Sequence, residues 1–149
     1  MRKATFSVLA LTAVAVAPAT WLTDNGGFGW NEAVAASHLA AQTTSARGVT
    51  VKVTPQNVAS DAKAWDFVVV LDTHSADLND DLVKSSLLLD GVSGRFAPVA
   101  WDGAAPGGHH REGVLRFNPV SPQPQSIELQ ITRAGEDVPR SFRWQLTEH

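Results

Sequence analysis

Alternation of apolar and polar residues is the feature that most constrains how this chain can fold. In the segment GVTVKVTP, Val49, Val51 and Val53 fall on one face and the polar residues between them fall on the other. A period of two predicts a strand with one buried face, and Pro55 is expected to end it. Six further segments have strand-like patterns: WDFVVVLDT, SSLLLDG, RFAPVAW, GVLRFNP, SIELQIT and SFRWQL.

Seven short strands separated by turn signals, with no long helical pattern, are typical of an all-β fold. We expect a seven-stranded antiparallel sandwich of the immunoglobulin-like type, spanning residues 47–149. The segment WDFVVVLDT is apolar on both sides at its centre, which favours a central strand. RFAPVAW contains Pro98 and is expected near an edge. The stretch Ala134–Asp137 predicts a hairpin loop.

The N-terminus has the pattern of a secretory signal peptide. Arg2 and Lys3 precede an uncharged run, residues 4–17, which is dominated by Ala, Val and Leu. A charged start followed by an apolar stretch predicts export to the periplasm or the extracellular space. The cleavage motif Ala17-Pro18-Ala19 makes residues 1–19 the signal peptide.

Two alternatives to this cleavage remain open. A later motif, Ala33-Val34-Ala35, would make His38 the third residue of the mature chain. An uncleaved anchor is the other alternative, because residues 4–22 are just long enough to span a bilayer; membrane association is expected only in that case. Residues 20–46, rich in glycine and small side chains, are predicted to form a flexible lead-in.

Composition and missing motifs exclude several function classes. The chain has 12 Lys and Arg against 15 Asp and Glu, a net charge of −3, which argues against a nucleic-acid partner. It has no cysteine, so disulfides, zinc–thiolate sites and a thiol nucleophile are excluded. It also lacks a nucleophile elbow, a phosphate-binding loop and a His-Glu-x-x-His motif. The sequence therefore predicts a protein that is not an enzyme.

The histidines are the strongest candidates for a functional site. His109 and His110 stand directly before the strand GVLRFNP, and His74 follows the central strand. Loops gather at the two ends of a sandwich, so these side chains meet if the two strands are neighbours. Imidazoles with a carboxylate suit Cu²⁺, Zn²⁺ or Ni²⁺. We therefore predict a site for a divalent transition metal formed by these histidines, with Asp72 or Asp77 as an oxygen ligand.

The glycines before the double histidine fit this prediction. Gly107 and Gly108 have no Cβ, so the backbone can turn tightly and direct both rings to one point. The alternative is that the histidines tie two loops together by hydrogen bonds, with Arg111 bound to an acidic residue. The chain would then be a structural or protein-interaction module of the cell envelope.

Two neighbouring features also have alternative interpretations. The acidic run from Asp77 to Asp81 either caps a short helix or supplies oxygen ligands to Ca²⁺, although the glycine and glutamate of an EF-hand loop are missing. Trp101 is either a surface aromatic for a glycan or a partner, or a ring that covers the end of the sandwich.

Three segments resemble a group of small exported bacterial proteins and domains: LDTHSADLNDDL, AWDGAAPGGHHREGVLRF and SIELQITRAGEDVPRSFRWQL. The shared elements are Thr-His-Ser…Asp-Leu and Trp-x-Gly…Gly-Gly-His-His-Arg-x-Gly-x-Leu-x-Phe, and the likeness covers about residues 48–146. The resemblance implies export and a common fold, and it implies no particular activity. The chain is also loosely similar to the CopC-like periplasmic copper-binding sandwiches, at the level of fold alone.

Overall fold

The computed structural model describes residues 39–146, which form two antiparallel sheets around one core. The first sheet has the strand order β1-β2-β3-β7-β6 and the second has the order β5-β4-β8-β9. The all-β prediction is confirmed; the predicted signal peptide or anchor lies outside the described residues. The strands are β1 (Gln42–Ala46), β2 (Val49–Asn57), β3 (Trp65–Thr73), β4 (Ser86–Leu89), β5 (Arg95–Phe96), β6 (Ala100–Gly103), β7 (His110–Phe117), β8 (Ser126–Ile131) and β9 (Arg140–Gln145), with one short helix in this range, α1 (Leu82–Ser85).

The core forms where the alternating apolar residues of both sheets meet. Every second residue of β2 and β3 is buried, and β8 and β9 alternate in the same way. Phe67 of the first sheet packs edge-on against Phe117 at 5.6 Å and against Trp144 of the second sheet at 5.9 Å. Burying one such large side chain contributes about 1.5–3 kcal/mol, and the contact between Phe67 and Trp144 joins the two sheets.

The prediction of seven strands is wrong, because residues 39–146 contain nine. One extra strand, β1, lies in the segment predicted to be a flexible lead-in. None of its residues is fully buried, so no apolar alternation marks it in the sequence. β1 forms because it pairs with β2 across a tight turn. Arg47 and Gly48 in this turn have φ values of 48° and 75°.

The other extra strand arises because RFAPVAW divides between the two sheets. β5 pairs with β4 in the second sheet, whereas β6 pairs with β7 in the first. Pro98 is buried at the crossing between them. The proline thus separates two edge strands rather than interrupting one.

Pro55 does not end its strand as predicted. β2 continues to Asn57, with a shift of register between Pro55 and Asn57. β1 pairs with β2 only as far as Val53. Beyond that point β2 is itself an edge strand, where a proline is tolerated because no neighbour needs its missing N–H.

Side chains close the sandwich along the side where β1 faces β9. The Gln42 amide donates to the carbonyl of Arg143 and accepts from its N–H at 3.1 Å. Arg140 donates to the carbonyls of Ala46 and Val49 at 2.9 and 2.8 Å. Its guanidinium is also paired with Glu136, and the two side chains are only 4% and 7% exposed. The hairpin loop predicted at Ala134–Asp137 therefore carries a buried charge.

Within residues 39–146, no helix has the length and apolar character needed to cross a bilayer.

Candidate functional site

The structure brings the two histidine-bearing loops to the same end of the sandwich. β3 and β7 are neighbours, and Asp72 lies opposite His110 in their register. One step further, the Thr73 N–H donates to the carbonyl of His109 at 2.9 Å. Thr73 also organises the turn that contains His74, since its hydroxyl oxygen accepts from the N–H of Ala76 at 3.0 Å.

His110 is the first residue of β7 rather than part of the preceding loop. Its ring lies on the outer face of the first sheet, between two carboxylates. Nδ1 is 2.6 Å from Oδ1 of Asp72, and Nε2 is 3.7 Å from Oε2 of Glu112. The hydrogen bond to Asp72 raises the pKa of His110 above its usual value of 6.5, and the charge of Glu112 acts in the same direction.

The structure does not show the expected convergence of the two adjacent rings. Strand alternation directs His110 outward and Arg111 into the core, while His109 contributes its backbone carbonyl. The side chains of His74 and His109 are exposed. In the described part of the chain, no group of three or more His, Asp or Glu side chains is arranged to hold a metal ion.

The two predicted oxygen ligands have different surroundings. Asp72 is engaged with His110. Asp77 is exposed, its carbonyl accepts from Arg133 at 3.0 Å, and it lines a hollow together with Arg47 and Glu136. Asp77 therefore lies beside the β8–β9 loop, and no hydrogen bond or ion pair recorded for residues 39–146 joins its side chain to a histidine.

The helix-capping interpretation of the acidic run is confirmed at Asp81. Its carboxylate accepts from the N–H groups of Val83 and Lys84 at the start of α1, at 3.2 and 3.3 Å. It also pairs with the Lys84 ammonium at 3.0 Å. Asp80, in the same run, pairs with Arg133 at 2.8 Å.

Arg111 is the residue that organises this end of the sandwich. It is 1% exposed, and its guanidinium donates to the carbonyls of Leu78, Asp80 and Ala104 at 2.9, 2.8 and 3.3 Å. The loop-tying alternative predicted an acidic partner for Arg111, but the acceptors are backbone carbonyls of two loops. Burial lowers the pKa of Arg111, and the charge of Asp80 opposes that effect.

Trp101 covers the end of the core beneath Arg111. The guanidinium carbon lies 5.6 Å from the ring centroid, and Nε1 donates to the Ala104 carbonyl at 2.9 Å. Gly103 and Gly113 make room for the ring, since a Cβ on Gly113 would approach the Trp101 ring to 2.7 Å. Trp101 therefore fits the covering role better than that of a free surface aromatic.

Sequence analysis missed the roles of Arg111 and Glu112, although a signal for both was present. Leu115 and Phe117 are buried at alternate positions of β7. Extending that alternation back places Arg111 on the buried face and Glu112 beside His110 on the outer face. The two glycines before His109 and His110 obscure this signal, because they are typical of a loop.

A second polar cluster lies on the outer face of the other sheet. Burial of Glu128 acts to raise the pKa of its carboxyl, but hydrogen bonds from Arg143, Ser141 and Gln130 outweigh it and lower the pKa to about 2. Arg143 donates at 2.8 Å and Gln130 at 2.7 Å. These side chains form hydrogen bonds with one another and join β8 to β9.

The raised pKa of His110 predicts a pH-dependent contribution to stability. The charged pair with Asp72 stabilises the fold fully below about pH 6.5, the unfolded value, and this contribution disappears as the pH rises through the higher folded pKa. The melting temperature of the wild type should therefore exceed that of Asp72→Asn by more at about pH 6 than at about pH 8. Thermal unfolding at both pH values tests this, and an equal difference at both would contradict it.

The chain matches no protein-family model, no curated protein and no solved structure.

Proposed function

We propose that this chain is an exported, non-enzymatic module of the cell envelope, with an immunoglobulin-like sandwich and a structural or protein-interaction role. The observation that carries the proposal is the pairing of His110 with Asp72 at 2.6 Å, beside the bond from Thr73 to the His109 carbonyl. In this proposal the histidine loops are part of the framework. They hold the end of the sandwich in one shape.

The surroundings of the histidines support the same role. Arg111 donates hydrogen bonds to loop carbonyls. The Gly107 N–H also donates to one of them, the carbonyl of Leu78. A buried arginine that joins two loops to one strand is costly to desolvate and is retained only with such partners. Rigid loops at one end of a sandwich suit a module that presents a fixed surface.

The alternative is the metal site predicted from the sequence, with His74, His109 and His110 as ligands and Asp72 or Asp77 as an oxygen donor. One observation favours it: the two loops lie at the same end, and His74 and His109 are exposed there. In that case the protein would handle Cu²⁺, Zn²⁺ or Ni²⁺.

Thermal unfolding of the metal-free full chain tests the structural role. His110→Ala should lower the melting temperature, because it removes the bond to Asp72. His109→Ala is the matched control, since its contact uses the backbone, and its melting temperature should stay near that of the wild type. The decrease should be small, because both side chains of the pair are more than half exposed to solvent. Equal melting temperatures for the wild type and His110→Ala would contradict the proposal.

A further inference from the structure

We propose that the outer face of the first sheet carries a chelating site for a divalent transition metal, in which Nε2 of His110 and the carboxylate of Glu112 are the ligands and Asp72 holds the ring from Nδ1. This site goes beyond the structural role proposed above and does not depend on it. It also differs from the ligand set predicted from the sequence, because it uses neither His74 nor His109 and includes Glu112.

The spacing of the two ligands fits a metal ion. His110 and Glu112 are two residues apart on β7, so their side chains emerge on the same face. Nε2 and Oε2 are 3.7 Å apart. Two metal–ligand bonds of about 2.1 Å at a tetrahedral angle place their donor atoms roughly 3.4 Å apart. A small rotation of the glutamate side chain therefore closes the chelate.

Asp72 prepares the imidazole for this role. A ligating histidine commonly donates its other ring N–H to a carboxylate, which fixes the tautomer and the orientation of the ring. With Nδ1 held 2.6 Å from Asp72, Nε2 is the nitrogen left for a metal, and it lies 3.7 Å from Oε2 of Glu112. Asp72 is thus an orienting residue here, not the oxygen ligand that the sequence suggested.

The site is open to solvent. The side chains of His110 and Glu112 are 58% and 60% exposed, so an ion reaches them without any opening of the fold. Water completes the coordination. One imidazole and one carboxylate favour Zn²⁺, Cu²⁺ or Ni²⁺ over Mg²⁺ or Ca²⁺, which prefer all-oxygen sites.

Calorimetric titration with Zn²⁺ tests the site in the full chain, with His38 and His149 replaced by alanine so that neither terminal histidine contributes. Saturable one-to-one binding is expected, and His110→Ala should abolish it. Asp72→Asn should weaken it by about 10–100-fold, the usual effect of losing an orienting partner. Glu112→Gln should weaken Zn²⁺ binding at least about tenfold, because removing a ligand should weaken binding no less than removing the residue that orients a ligand.

Glu112→Gln is the decisive variant, because it leaves the bond between His110 and Asp72 in place. It should therefore lower the melting temperature less than Asp72→Asn does. Asp102→Asn, an exposed carboxylate on β6 opposite Val114 of β7, is the matched control and should bind like the wild type. Electron paramagnetic resonance of the Cu²⁺ form should show coupling to a single imidazole.

Three outcomes would overturn the site: no binding by the wild type, unchanged affinity in Glu112→Gln, or loss of binding in His74→Ala or His109→Ala. The last result would support the ligand set predicted from the sequence. None of them bears on the structural role, which depends on the melting temperature of metal-free His110→Ala.

Discussion

Replacing Arg140 with methionine is expected to lower the free energy of unfolding by about 3–5 kcal/mol, the usual cost of removing one partner from a buried ion pair. The variant removes the closer partner of the Glu136 carboxylate, which is only 7% exposed, and leaves Arg133 at 3.9 Å as its remaining partner among the described residues. It also leaves the carbonyl of Val49 without its donor at 2.8 Å. Urea unfolding of both proteins measures the difference.

The exposed Arg95 of β5 supplies the matched control, because Arg95→Met removes the same charge from the surface. It should change the free energy of unfolding by no more than about 0.5 kcal/mol. In the double variant Arg140→Met/Glu136→Gln the buried charge is gone, so part of the lost stability should return. If Arg140→Met lowers the free energy of unfolding by no more than Arg95→Met does, the ion pair does not close the sandwich.

Replacing Arg111 with methionine should lower the free energy of unfolding by about 1–3 kcal/mol. The carbonyls of Leu78 and Ala104 keep the donors Gly107 N–H and Trp101 Nε1–H, so only the Asp80 carbonyl loses its one recorded donor. An acceptor left unsatisfied costs about 1–3 kcal/mol where water does not replace the lost bond. The bonds to Asp80 and Ala104 are partly accessible, whereas the bond to Leu78 is buried. The loss should therefore fall mainly on the segment around Leu78.

Hydrogen exchange gives a local measurement of the same effect. The Gly107 N–H, which donates to Leu78 at 2.9 Å, should lose protection in Arg111→Met. Arg116→Met is the control on the same strand: Arg116 pairs with Asp66 at 2.8 Å, and its side chain is 42% exposed. Arg116→Met should lower the free energy of unfolding by less than Arg111→Met does, because solvent weakens an exposed ion pair. Unchanged protection of Gly107 in Arg111→Met would contradict the role assigned to Arg111.

The core strands could be predicted from the sequence, because burial on one face leaves a period of two. The segments that became β3, β8 and β9 were found in this way. β1 could not be found, since it is polar and its order depends on β2, Gln42 and Arg140. The division of RFAPVAW between the two sheets could not be predicted either, because local alternation does not indicate which sheet a strand joins.

The candidate site was predictable only in part. That His74 and the double histidine share one end of the fold follows from β3 and β7 being neighbours, which the sequence analysis stated as a condition. The partners of His110 depend on its being inside β7, and placing it in the preceding loop concealed both Glu112 and the inward direction of Arg111.

The sequence by itself determined the all-β class, because a strand buried on one face alternates apolar and polar residues along the chain. The tertiary structure alone decided which polar side chains meet. Asp72 and His110 are 38 positions apart, and Arg140 binds carbonyls more than 90 positions earlier. Such contacts depend on strand register and on the packing of one sheet against the other, and neither leaves a mark in the local pattern of residues.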